Sequence, residues 1–201
     1  YKDVLIRPKR STLASRKEVS LERTMTFRNA RDQQGNKFNY AGIPIMAANM
    51  DGVGTFEMAD TLAGQGVFTC LVKTYTTEEL IDFFGIGKIN RTDHVAISIG
   101  SGDADYEKLC AVYSKVQDNL KYVCLDIANG YSEHFADHVR KVRENFPHLV
   151  IIAGNVVTGA MTEELILAGA DIVKVGIGSG AVCSTRLVAG VGYPQLSAVI
   201  E

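Results

Sequence analysis

Six short apolar runs, rich in β-branched residues, recur after residue 40 of the chain, at residues 43–48, 67–72, 94–99, 121–127, 149–153 and 171–175. Their starts lie 22 to 28 residues apart. Each run is continuously apolar instead of alternating, which demands cover on both faces. Between them lie segments of helical period. Residues 55–63 carry Phe56, Ala59, Leu62 and Ala63; residues 106–116 carry Leu109, Val112 and Tyr113; residues 161–168 end at Gly169. In residues 132–146, Phe135, Val139, Val142 and Phe146 share one face, Ser132 opens the helix and Pro147 closes it. Strand and helix alternating at this pitch predict right-handed βαβ units on a parallel sheet. No GxGxxG turn follows the first run, which favours a closed barrel over an open doubly wound sheet. The expected fold class is therefore α/β, a (β/α)8 TIM barrel with about six of its eight units in this chain.

The rhythm divides the chain into an N-terminal arm and hairpin, residues 1–40, and a partial barrel catalytic domain, residues 41–201. Residues 19–27 (VSLERTMTF) alternate like a two-sided strand, and residues 32–37 (DQQGNK) read as a polar turn. The two together suggest a hairpin covering the bottom of the barrel. Residues 1–8 (YKDVLIRP) read as an ordered strand, and residues 194–201 as a helix cut short. Six strands of an eight-stranded barrel would leave two open edges, which invite association.

Composition narrows the partners. Lys and Arg number 21 against 23 Asp and Glu, a net charge of −2, so nothing pulls the chain globally toward nucleic acid or an anionic membrane. No apolar run approaches the roughly 20 residues of a membrane span, and no charged-then-apolar segment opens the sequence as a secretory signal would. The four cysteines show no CxxC spacing, and reduced thiols are expected. Cys70, Cys110 and Cys124 sit in apolar runs as small hydrophobes; Cys183 stands instead among glycines and hydroxyls.

Catalytic groups of a parallel barrel lie just past the C-terminal ends of its strands. Those positions here are Asn49, Met50 and Asp51, then Lys73, Ser101, Asp126 with Asn129, Asn155, and the segment from Gly176 to Arg186. The richest is VKVGIGSGAVCSTR, residues 173–186. Gly176, Gly178 and Gly180 permit positive φ, so the loop can turn amides toward an anion or carbonyls toward a cation. Cys183, with Thr185 and Arg186 just after it, is placed as a nucleophile whose pKa Arg186 would lower. The plainer reading is a glycine-rich turn with a chance cysteine. His134 and His138 have the i, i+4 spacing of metal ligands but no third ligand, so a solvated or interhelical pair is expected. Asp103, Asp105 and Glu107 read as carboxylates at a helix start, since the glycine and terminal glutamate of a calcium loop are absent. Lys73 alone would be a surface lysine, whereas Asp126 ends a buried strand, YVCLD, where a carboxylate is costly. Arg7, Lys9, Arg10, Arg16 and Lys17 form a solvated arm or reach a nucleotide's phosphates on a neighbouring subunit.

Taken together, KDVLIRPKRSTLASR, ANMDGVGTFEMA, CLDIANGYSEHF, AGNVVTG, EELILAGADIVKVGIGSGAVCSTR and GVGYPQLSAVIE resemble the GMP reductases, within the superfamily they share with the IMP dehydrogenases. NGYSEHF and the opening residues look like the reductases. The stretch of about 20 residues between Lys73 and His94 leaves no room for the regulatory domain pair usual in the dehydrogenases. The resemblance implies NADPH-dependent reductive deamination of GMP to IMP, with ammonia released. Cys183 would form a thioimidate at C2 of the purine, with Thr185 in proton transfer. Ser15, Arg16, Lys73, Asp126, Ile127, Ala128, Asn155, Ile177 and Gly178 would lie on the cofactor side. Gly178, Gly180, Cys183 and Arg186 would hold a monovalent cation, K+, mostly through backbone oxygens. A cytoplasmic homotetramer is implied, with neither nucleic acid nor membrane as partner. The chain departs from the family pattern at Val72 and Thr74 (VKTY for HKHY), at Gly52 (MDGVG for MDTVG), and at Ser179, Ala181 and Ser184 (GSGAVCSTR for GPGSVCTTR). Oxidation of IMP with NAD, and a degenerate or incomplete nucleotide-binding homologue, are the alternatives.

Overall fold

The computed structural model describes residues 4–32, 34–85 and 92–201. A hairpin of β1 (Arg23–Arg31) and β2 (Lys37–Ala47) leads into β3 (Val67–Cys70), β4 (Val95–Ile99), β5 (Tyr122–Asp126), β6 (Val150–Val156) and β7 (Ile172–Val175). These make one seven-stranded sheet in sequence order, antiparallel only between β1 and β2. The helices are α1 (Phe56–Ala63), α2 (Thr77–Phe84), α3 (Asp103–Val116), α4 (Glu133–Asn145), α5 (Gly159–Leu167) and α6 (Gln195–Ile200).

The two faces of the sheet explain why its strands are apolar throughout. Leu71, Val95, Ile97, Ile99, Val123, Leu125, Ile151 and Ala153 pack outward against Leu80, Phe83, Leu109, Val112, Phe135, Val139 and Leu165 of the helices. Phe68, Cys70, Ala96, Tyr122, Cys124, Val150 and Ile152 point the other way and meet Phe27 and Tyr40 of the hairpin. Helices on one face and strand side chains filling the other are what a barrel requires; a doubly wound sheet carries helices on both. All six barrel strands fall on the predicted runs.

Side chains accept hydrogen bonds at the starts of four helices: Thr55 from Met58 N–H, Thr76 from Glu79 N–H, Ser132 from Phe135 N–H and Thr158 from Met161 N–H. Ser132 is the predicted N-cap. Helix α2 was not predicted, although Thr76 and Glu79 form a reciprocal capping box.

The predicted hairpin forms, with its strand displaced. Residues 19–22 are irregular and β1 runs instead to Arg31, because pairing of Arg23 with Gly42 through to Arg31 with Lys37 fixes the register. The Asp32 carboxylate closes the turn by accepting from Gln34 N–H and Asn36 N–H. Phe38, Phe27 and Phe68 surround the Tyr122 ring edge-on, at centroid distances of 5.7, 6.5 and 4.9 Å, so the hairpin caps the N-terminal mouth of the strands. The expected opening strand does not form over its described residues: 4–8 are exposed, and no strand among the described residues pairs with them.

At the same end, Asp171 just before β7 has a fully buried side chain. Its carboxylate accepts from the N–H groups of Asn29, Ala30 and Ile151 and from Arg143, the last at 2.6 Å. Hairpin, α4, β6 and β7 are thereby tied at one point.

Candidate active site

The opposite, C-terminal ends of the strands open into a cleft of about 820 Å³. Asn49 and Met50 enter it after β2, Asp126 ends β5, Asn155 lies on β6 and Lys174 on β7. The segment Gly176–Ser184 and Gln195 of α6 form the remaining wall.

Lys174 organises the floor. Its ammonium donates to Asn49 Oδ1 at 2.8 Å and to Asp126 Oδ1 at 2.5 Å, joining the ends of three strands. Burial pushes the Lys174 pKa down, but Cys124 and the bonded Asp126 outweigh it and hold the pKa above the ordinary lysine value. The Lys174 ammonium is thereby favoured, and the Asp126 carboxyl faces the cleft. Beneath lie three sulfurs. Cys70 Sγ sits 3.2 Å from Met46 Sδ, and its hydrogen bond with Cys124, followed by burial, raises the Cys70 pKa. Cys70 and Cys124 meet across β4 as free, buried thiols.

Cys183 is set differently. It is half-buried on the cleft wall, and its pKa is lowered. The leading cause is the backbone N–H of Arg186; burial opposes, and the N–H and hydroxyl of Thr185 and the N–H of Gly178 assist. The sequence reading assigned this task to the Arg186 side chain. The structure gives it to the main chain, because residues 185–189 coil directly after the cysteine and turn their first amides onto the sulfur.

Two of the three loop glycines are conformationally required. Gly176 (φ +145) faces the Gln195 amide, where a Cβ would stand 2.4 Å from Oε1. Gly178 (φ +62) lies against the backbone of Val191 and Gly192, with a Cβ placed 2.6 Å from Val191 O. Gly180 has neither a positive φ nor a crowding neighbour, contrary to the expectation for all three.

The structure thus brings Asp126, Asn155, Gly178, Gly180 and Cys183 to one cleft. Thr185 touches the cysteine sulfur, and Arg186 lines an adjoining cleft of about 700 Å³ with Gly178 and Gly180. Ile177 is buried behind the loop, while Ile127 packs against the outer core and Ala128 is exposed. Lys73 is exposed in the turn after β3 and does not line the cleft. Ser15 caps a short 3-10 helix beginning at Arg16, and both are exposed, away from the cleft-lining residues. Lys174 and Gln195 are site residues that sequence reasoning missed. A lysine inside a strand covered on both faces was the available signal, since such a charge needs a partner.

The two histidines of α4 part company. His134 is exposed, whereas His138 is buried against the Tyr106 ring, and burial lowers its pKa. Asp103 and Asp105 occupy the first turn of α3. No cluster of metal-ligating side chains occurs among the described residues.

A family model described as IMP dehydrogenase / GMP reductase domain matches residues 1–201. The chain belongs to this family. GMP reductases of Salmonella paratyphi B and Salmonella newport are each 56% identical to it over 201 residues, all of this chain and 56% of theirs. An inosine 5' monophosphate dehydrogenase crystal structure from Legionella pneumophila superposes with a TM-score of 0.78 at 30% identity, over 98% of this chain and 56% of that one. The chain therefore spans about half the length of the curated relatives it matches. The IMP dehydrogenase/GMP reductase membership and this neighbour agree with the predicted barrel class.

Proposed function

We propose that the chain carries the cysteine-bearing part of an NADPH-dependent GMP reductase, which converts GMP to IMP and ammonia. One observation carries this reading: a sulfur of lowered pKa stands on the wall of a cleft whose floor is the Lys174–Asp126 pair. The relatives named GMP reductase give the substrate class.

An exocyclic amine is a poor leaving group, so a covalent intermediate divides one hard step into two easier ones. Cys183 adds through Sγ to C2 of the guanine. Thr185, whose hydroxyl already meets that sulfur, serves proton transfer as the amine departs as ammonia, leaving a thioimidate. The amides of Gly178, Thr185 and Arg186 favour the thiolate for attack and receive the sulfur again when the carbon–sulfur bond breaks. The reduced dinucleotide supplies the hydride to C2.

A charged carboxylate, an amide and an ammonium at the cleft floor suit a polar dinucleotide end, so Asp126 and Asn155 are assigned to orienting it, with Ile127, Ala128, Ile177 and Gly178 beside them. Lys73 on the exposed rim, and Ser15 and Arg16 of the arm, are assigned to its more distant parts. Potassium is assigned to the carbonyls of Gly178, Gly180, Cys183 and Arg186. The Gly180 and Cys183 carbonyls already accept from Cys183 N–H and Leu187 N–H, and each keeps a second lone pair for a cation. The whole enzyme is assigned as a cytoplasmic homotetramer.

The test is GMP-dependent NADPH oxidation with stoichiometric ammonia. Cys183→Ala is expected to lower it at least about a thousandfold. Intact-mass detection of a purine adduct on the native chain, absent from the variant, completes it. NAD-dependent formation of XMP from IMP, without GMP turnover, would select the dehydrogenase reading instead.

A further inference from the structure

Lys108 lies on α3, the helix after β4, yet its ammonium leaves its own unit. It donates to the carbonyl of Lys73 at 3.1 Å and to that of Tyr75, both within the turn between β3 and α2. The carbonyls flank exposed Thr74 and converge on a single cation. The rest of this turn is also pinned. The Tyr75 ring stacks on Phe56 at 3.8 Å, its hydroxyl accepts the Phe56 N–H at 3.2 Å, and the Thr76–Glu79 capping box begins α2 immediately afterwards. Val72 N–H is held by Gly54 O at 2.8 Å on the β3 side, so the ammonium fastens the exposed stretch at Lys73 and Thr74 between that bond and the Tyr75 stack. Burial lowers the Lys108 pKa, with Asp105 and Glu79 opposing it.

We propose that Lys108 is a positioning residue: it fixes the β3–α2 turn from the neighbouring βα unit and so sets where Lys73 meets the dinucleotide. This rests on the assignment of Lys73 to the cofactor side. Charge-assisted hydrogen bonds are the stronger kind, and two converging on one turn hold it far better than a lone neutral contact would. Lys108→Met keeps an unbranched aliphatic side chain and removes the donors and the charge.

The experiment is a double-mutant cycle with Lys73→Met, read as KM for NADPH and kcat separately. Lys108→Met is expected to raise KM about tenfold with kcat within about twofold. On the Lys73→Met background it should add nothing, because it acts through Lys73. Amide hydrogen exchange over residues 73–76 should quicken about tenfold in Lys108→Met, with exchange in β4 and β5 unchanged. Independent, additive losses in the cycle overturn the proposal, as does a turn that exchanges no faster. A protein inert toward GMP and NADPH removes the functional reading above, and exchange then decides by itself whether Lys108 holds the turn.

Discussion

Strand β7 carries an ion pair at each end, and the two behave in opposite ways. Asp171, before its first residue, has no exposed side-chain surface, and its carboxylate is engaged by three backbone N–H groups besides Arg143. Asp126, paired with Lys174 near the other end, keeps 19% of its side chain exposed to a cleft. Around Arg143 burial wins and lowers its pKa; around Lys174 the neighbouring acid groups win and raise it. A carboxylate with its lone pairs committed to main chain fixes structure, whereas one held on a single side leaves acceptors for a ligand. Two residues, Ile172 and Val173, thus separate a structural anchor from a site.

The contrast fails if both pairs respond alike to losing a partner. Asp171→Ala strands Arg143 and three amides in the interior, and a loss of about 3–5 kcal/mol is expected. That corresponds to a Tm lowered by about 6–20 °C in calorimetry. Lys174→Met should cost only about 1 kcal/mol of stability, since water in the cleft can solvate Asp126. Its activity should nevertheless fall about hundredfold, because the carboxylate is no longer aimed. Equal stability losses for the two variants would erase the distinction. The charge on Lys174 also has a pH signature. Its raised pKa makes the contribution of the pair fully present below the ordinary lysine value of 10.5 and lost only as pH rises through the folded-state value, so stability attributable to it should be flat across neutrality.

The two ends were also unequally legible. The strands could be read because burial on both faces writes continuous apolar runs, and α4 could be read because Phe135, Val139 and Val142 repeat at helical spacing around a Ser132 cap. Helix α2, TEELIDFF, carries its signal in the Thr76–Glu79 capping box and not in a long apolar repeat, and it escapes a reading by periodicity. The shift of β1 follows from pairing with β2, a partner set by tertiary contacts that no local pattern encodes. At the rim, Cys183, Asp126 and Asn155 were visible as odd residues in the right places. Lys174 was hidden inside a strand, and the amides that tune Cys183 belong to the backbone, which carries no sequence signal.

Gly169 sharpens the structural end of the comparison. It turns the chain into Asp171 at φ +113, and a Cβ there would stand 2.7 Å from Arg143 Cγ. Gly169→Ala is expected to cost about 1–3 kcal/mol through backbone strain and displacement of the Arg143 stem. Activity per folded molecule, measured at a temperature where the variant is fully native, should stay unchanged. A fall in turnover without loss of Tm would mean that the two ends of β7 communicate.

The smallest effect belongs to the functional end. The Cys183 pKa is lowered chiefly by the Arg186 amide, with the Thr185 hydroxyl a lesser contributor. Thr185→Val removes that hydroxyl at nearly constant shape and leaves both amides in place. A thiol of lowered pKa reacts as thiolate from a lower pH, so the acid limb of iodoacetamide alkylation should lie below the ordinary thiol value of 9.0 in the native chain and move upward in the variant. At neutral pH the alkylation rate should drop by about two- to fivefold. Melting should be unaltered, because Cys183 and Thr185 stand on the open rim and anchor nothing. An alkylation profile that does not move would assign the tuning to the amides alone and leave Thr185 only its part in proton transfer.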